Sequence, residues 1–293
     1  MYKKNKITAS NSNTRIVTPS KVSKAISATM SGPLSKASDK RIVKKYSNTK
    51  LMTGNRLLGP IPSDTLKQQI NTVLSRNSGM NSDQQRINMV ARLRTQFNIT
   101  DERVLRAMVR VQRQFFMDQG TAIRAYEDEA LPIGYGQTIS KPSVVARMIS
   151  LLIKDKTLSG KVLEIGSGCG YQAAILACIF KEVYSIERIN GLHELAKHNL
   201  AKFIDMPKVH LVLGDGMLGL PDVAPFDSII IAAAGLQIPK ALLLQLSIGG
   251  RLIAPEGERE QKLVLVERKG LQEWSRTELE QTRFVPLKTG IQA

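Results

Sequence analysis

Three glycines alternate at Gly166, Gly168 and Gly170 in the stretch VLEIGSGCG, directly after a short apolar run, 162–165, that carries one acid, Glu164. Glycine reaches backbone conformations closed to other residues, so such a loop turns sharply and brings its backbone close to a ligand. Tyr171 stands where the dinucleotide fingerprint G-x-G-x-x-G needs its last glycine, which argues against a pyrophosphate on the following helix and hence against NAD. A ligand without phosphate but with a cationic centre, S-adenosylmethionine, suits a glycine loop flanked by carboxylates. The predicted cofactor contacts here are Glu164, Gly166, Ser167, Gly168 and Gly170. A glycine-rich turn can also be nothing more than a tight strand-helix connection, so the positions downstream have to decide.

Glu187 ends a second predicted strand, about 20 residues beyond the glycines, where an acid takes hydrogen bonds from ribose hydroxyls. Gly214-Asp215-Gly216 is a tight turn whose carboxylate is placed to meet an adenine amino group, although Asp-Gly is more often only a turn. The elements that must position these residues alternate. Strands are predicted over 162–165, 182–186, 209–213, 226–234, 249–254 and 262–267, with helical stretches over 171–180, 192–203 and 238–246. Such alternation predicts an α/β fold with a doubly wound, mostly parallel sheet that binds its ligand at the carboxyl ends of the strands. Gly166, Glu187, Asp215 and Ala232 all fall at such ends and converge on one crevice.

Upstream, Pro142 opens a helix with Val145, Met148, Ile149 and Leu152 on one face, and by pattern alone Ser140 caps it. Thr100 is the predicted N-cap of an earlier helix carrying Asp101 and Glu102 in its first turn and Val104, Met108 and Val111 at helical spacing. Before it, Val90, Leu93 and Phe97 form an apolar stripe, which reads as a core face. Phe115 and Phe116 are expected to anchor this small helical cap to the sheet, with the loop 131–141 between them as a lid.

The segments ALPIGYGQTISKPSVVARMISLL (130–152), VLEIGSGCGYQAAILA, GDG, FDSIIIAAAG, IPKALLLQL, GGRLIAP and RFVPL occur in that order. Together they resemble the protein-L-isoaspartate O-methyltransferase family over 83–291, and PIGYGQTIS is the most specific of them. The resemblance implies a Rossmann-like class I methyltransferase core with a small N-terminal helical cap. It implies methyl transfer from S-adenosyl-L-methionine to the α-carboxylate of L-isoaspartyl residues, or the β-carboxylate of D-aspartyl residues, in damaged proteins, whose ester then collapses to a succinimide. It assigns Ser140 as the hydroxyl that donates to the substrate carboxylate, and Thr138, Ile139 and Val285 as substrate contacts. A carboxylate is already ionised at neutral pH, so no strong base is required and catalysis rests on positioning and desolvation. The chain departs from the family pattern at Ala232, where threonine is common, at Gly235, where proline is frequent, and at Lys141, where glutamine is common.

The charge is unevenly spread. Of the formal +17, +13 lies in residues 1–80, rich in Ser, Thr, Asn and Lys and without long apolar periodicity. Such a tail is expected to be disordered and to attract nucleic acid or anionic surfaces non-specifically. Residues 81–293 form the predicted methyltransferase domain, with cap and substrate loop over 81–141 and the core over 142–293. No run reaches the length of a membrane span and no signal-peptide core is visible, which predicts a cytoplasmic protein. Cys169 and Cys178 are expected to be free, His193 and His198 to lie on a solvated helix surface, no metal site is expected, and the chain is expected to be a monomer. Two other functions remain open from the residues. One is a methyltransferase delivered by its basic tail to RNA or a ribosomal component, although an aromatic-proline motif for a flipped base is missing. The other is a non-catalytic cofactor-binding module.

Overall fold

The computed structural model describes residues 82–156, 160–203 and 209–293. The predicted basic tail, 1–80, lies outside them. The described chain begins with two helices, α1 (Ser82–Thr95) and α2 (Glu102–Arg110). α2 is capped by Asp101, whose side chain accepts from the Arg103 backbone N–H, and not by Thr100. An acid there also favours the positive end of the helix dipole. Val90 and Leu93 are buried as their spacing requires, but α1 ends before Phe97, which is 38% exposed. Of the two expected anchors, Phe116 is buried and stacks on Phe203, 5.2 Å between centroids, whereas Phe115 remains 45% exposed.

A one-turn helix α3 (Gln119–Ala122) leads to an antiparallel hairpin, β1 (Leu131–Gly134) and β2 (Gln137–Ile139), in the segment expected to be an irregular lid. α4 (Pro142–Ile153) then buries Val145, Met148, Ile149 and Leu152 together. After it come β3 (Lys161–Ile165), α5 (Tyr171–Ala177), β4 (Glu182–Glu187), α6 (Asn190–Leu200), β5 (Val209–Leu213), β6 (Phe226–Ile231), α7 (Lys240–Leu244), β7 (Leu246–Glu256), β8 (Gln261–Gly270) and β9 (Glu273–Thr282).

The seven-stranded sheet runs β5-β4-β3-β6-β7-β8-β9, parallel through β7, with β8 and β9 antiparallel. Strand β3 is central and apolar on both faces. Val162 packs with the cap, α4 and α5, while Leu163 and Ile165 pack on the opposite face with Leu242 of α7. Helices therefore cover both faces, as a parallel sheet requires. The chain leaves β3 toward β4 and β5, then returns to β3's other side as β6. Ile165 pairs with Ile186 on one side and Ile231 on the other, so Gly166 emerges where the strand order reverses, the place such sheets bind ligands.

The β6 strand stops at Ile231 rather than running to 234, and α7 is shorter than the predicted 238–246. The strand ends early because the chain around Ala234 pairs with residues 285–287 instead, and the helix is confined between Pro239 and the start of β7 at Leu246. Strand β9 has no apolar alternation and was not expected. It is an edge strand whose outward charges pair with those of its neighbours, Lys262 with Glu278 at 2.9 Å and Arg276 with Glu256 at 2.8 Å.

Candidate active site

Gly166, Gly168 and Gly170 all adopt positive φ, 92°, 53° and 88°. A Cβ on Gly168 would also crowd Ile133 of β1 at 3.2 Å, and one on Gly170 would crowd Ala196 and Leu200 of α6 at 3.3 Å. Gly168 thus lets the lid approach the loop, and Gly170 seats the loop on a helix. Glu187 fixes this arrangement: its Oε2 accepts from the Gly168 N–H and its Oε1 from the Ile189 N–H, both at 2.9 Å. Each oxygen keeps a second acceptor site for a hydroxyl.

One cavity of about 280 Å³ opens there. Its wall includes Gly166, Ser167, Gly168, Glu187 and Gly216 on one side and Thr138, Ile139, Ser140 and Val285 on the other. Gly170, Glu164 and Asp215 do not line it. Gly170 sits behind the loop against α6. Glu164 is fully buried under the loop, where it accepts a hydrogen bond from Ser185, whose hydroxyl lies 2.6 Å from that of Ser167. Burial pushes its carboxyl up to about 8, so near neutral pH it is largely an uncharged acid and not the flanking carboxylate expected from sequence. Its influence on the cavity passes through Ser185 and Ser167. Its Oε1 has no hydrogen-bond partner among the described residues.

Asp215 is likewise committed elsewhere. Its Oδ1 accepts from Met217 N–H at 2.9 Å and its Oδ2 from Gly290 N–H at 2.7 Å, so the turn presents Gly216 to the cavity in place of the carboxylate. The Gly290 contact belongs to a segment that the sequence reading missed. Arg188 donates to the carbonyls of Gly290 and Thr289 and to Gln292 Oε1, while Asn190 N–H and Gln292 N–H exchange bonds with Gln292 and Arg188. Residues 288–292 are thereby strapped along the start of α6, and Lys288 and Gln292 join the wall. No periodicity marks such a segment in advance.

The lid is also more specific than expected. Gly134, Tyr135 and Gly136 have φ of 91°, 52° and 67°, a left-handed run unusual for tyrosine, and Tyr135 reaches across the cavity mouth to Gly191 of α6. On the far side, Ala234 N–H donates to Val285 O at 2.8 Å and Leu287 N–H to Ala234 O at 2.7 Å, docking RFVPL onto the end of β6 beside Ala232 and Ala233. Lys141 is exposed and not on the wall.

Ser140 makes no hydrogen bond to any described residue. It does not cap α4: Asp128 does, accepting from Ser143 N–H at 2.8 Å and from the Ser143 hydroxyl at 2.7 Å. Cys169 is on the wall, but burial pushes its thiol up to about 11, which keeps it un-ionised and a poor nucleophile. Cys169 and Cys178 are both free. Among the described residues no cluster of His, Cys, Asp and Glu is suited to a metal ion.

Residues 84–292 match the family model described as protein-L-isoaspartate(D-aspartate) O-methyltransferase. The chain belongs to this family. As a member of the isoaspartate methyltransferases, it is an S-adenosylmethionine-dependent enzyme that methylates isoaspartyl residues. A Bordetella parapertussis protein-L-isoaspartate O-methyltransferase is 60% identical over 219 residues, 75% of this chain and 84% of its own. A solved protein-L-isoaspartate O-methyltransferase superposes with a TM-score of 0.63 at 27% identity, covering 70% of this chain and 67% of that one. A Plasmodium falciparum structure assigned to the same family, in complex with S-adenosyl-L-homocysteine, has a TM-score of 0.62 at 23% identity, with 71% and 98% covered. The fold of this methyltransferase is thus the doubly wound one its alternation predicts and the Rossmann-like one the resemblance implies. Among its described residues, no helix is long and apolar enough to cross a membrane.

Proposed function

We propose that methyl transfer takes place in this cavity, between a cofactor held on the glycine-loop wall and a carboxylate held at Ser140. The observation that carries the reading is the meeting of the two predicted half-sites in one cavity, with the Ser140 hydroxyl bonded to no described residue. S-adenosylmethionine supplies an electrophilic methyl group on a sulfonium. The residues fit such a molecule: a close-approach backbone at Gly166 to Gly168, acceptor sites of Glu187 for ribose hydroxyls, and apolar Ile189 and Leu192 beside them.

The substrate carboxylate arrives as an anion, so the chain has no proton to remove from it. Ser140 donates to one carboxylate oxygen and aims the other at the methyl carbon. Thr138, Ile139 and Val285 restrict its approach, and Tyr135 at the mouth excludes water. The carbon-oxygen bond forms as the carbon-sulfur bond breaks, leaving a neutral ester and S-adenosylhomocysteine.

The same reading takes residues 1–80 as a basic arm, separate from the methyltransferase domain, that meets nucleic acid or anionic surfaces non-specifically. The enzyme is read as a cytoplasmic monomer whose free cysteines suit a reducing compartment.

Labelled S-adenosylmethionine offered with an L-isoaspartyl peptide, its L-aspartyl counterpart and RNA tests the assignment. Base-labile label on the isoaspartyl peptide alone is expected. Stable label on RNA would shift the acceptor to nucleic acid, and binding without transfer to any of the three would leave only a cofactor-binding module.

A further inference from the structure

Asp128 lies three residues before β1, and Ser143 is the second residue of α4, so their pairing closes the root of the lid hairpin. A helix begins with N–H groups that have no partner inside it, and a side chain just before the first turn normally accepts from one of them. In α4 that position holds Lys141, which makes no side-chain cap, and Pro142 after it has no N–H. Ser140 is the nearest suitable hydroxyl, three residues before Ser143, the span of an ordinary serine cap. Asp128 has already taken that N–H, and Ser143's hydroxyl with it.

The segment carrying Asp128 is held from behind. Arg113 is fully buried; its Nε donates to Ala125 O at 2.8 Å and its Nη2 to Glu129 O at 3.3 Å. Its guanidinium lies over the ring of Tyr171, 4.9 Å from the centroid, at the start of α5 just after the glycine loop. Asp128 is therefore referenced to the same framework that positions the cofactor wall.

The geometry points to Asp128 as a positioning residue for methyl transfer, one that caps α4 in place of Ser140 and so keeps the Ser140 hydroxyl free for the substrate carboxylate. The inference rests on the reading of Ser140 given above. Without the carboxylate, the orphaned Ser143 N–H draws Ser140's oxygen toward the helix and away from the cavity.

Ser140→Ala, Asp128→Ala, Asp128→Asn and the Ser140→Ala/Asp128→Ala double variant separate the two ideas, with kcat and KM for an isoaspartyl peptide and calorimetric binding of S-adenosylhomocysteine as readouts. Asp128→Ala is expected to lower kcat roughly tenfold or more, the scale of one hydrogen bond to a charged group, while leaving S-adenosylhomocysteine affinity unchanged. Asp128→Asn, itself a good cap, should restore most of the loss. The double variant should be no slower than Ser140→Ala alone. Should Asp128→Ala not fold, Ser143→Ala removes only the hydroxyl half of the grip and should show a smaller loss with the same lack of additivity. A slow Ser140→Ala beside an Asp128→Ala of normal kcat overturns the role of Asp128 and leaves that of Ser140 standing. Multiplicative losses in the double variant, or loss of S-adenosylhomocysteine affinity in step with kcat, overturn it as well. A fully active Ser140→Ala overturns both.

Discussion

At Glu164, burial and chemistry oppose one another, and the balance is measurable. Its carboxyl is pushed by burial from 4.5 up to about 8, so between these values the folded protein keeps a proton that the unfolded chain has released. Stability is then complete below the lower value and falls as pH rises toward the upper one, by up to a few kcal/mol at about 1.4 kcal/mol per pH unit. Glu164→Gln is expected to flatten that fall, and thermal unfolding across pH 5 to pH 8.5 checks it; equal slopes in both proteins would show that the carboxyl ionises in the fold. The sequence placed this acid beside the glycines correctly but not its side of the strand, because a strand buried on both faces has no polar alternation to read. Asp215 was legible as a turn, yet its partner, Gly290, is too distant in sequence to foresee. Ser140 is the reverse case: its pattern is that of a helix cap, and only the three-dimensional position of Asp128 releases it from that duty.

Among the elements, the parallel core was the most legible part. Short β-branched runs ending at Gly166, Glu187 and Gly214 mark strand ends by composition alone, and β5 occupies 209–213 as predicted. The hairpin β1-β2 and the edge strand β9 escaped because neither repeats an apolar residue at a readable period: the first is built around three left-handed residues, and the second is mostly exposed and polar. That hairpin makes its own prediction. Alanine ordinarily improves a helix at a glycine position, but a Cβ at Gly191 would overlap the Tyr135 hydroxyl. Gly191→Ala is expected to lift the lid and weaken S-adenosylhomocysteine binding roughly tenfold, equivalent to about 1.4 kcal/mol, with no fall in Tm. Tyr135→Ala in the same background should leave the Tm unchanged and cause no further loss of affinity. Unchanged affinity in Gly191→Ala would mean that Tyr135 does not close the site.

On the scale of the whole molecule, the family match begins at residue 84, whereas most of the positive charge lies before it. Removing residues 1–80 is expected to leave kcat/KM for isoaspartyl peptides intact and to abolish salt-sensitive binding to an RNA oligonucleotide, followed by fluorescence anisotropy at increasing salt. Slower peptide methylation by a folded truncated protein would make the tail part of the site. The cavity itself has a consequence for how this enzyme fails. The cavity wall draws together residues from 133–140, 165–168 and 285–292, so closing it requires contacts between parts of the chain far apart in sequence, while β3 and β4 find each other locally. Long closures of this kind form late and open early. Warmed or ageing copies are therefore expected to lose their ligands while most of the sheet still stands, so that an enzyme whose task is the repair of old proteins would lose that capacity before its own unfolding becomes visible.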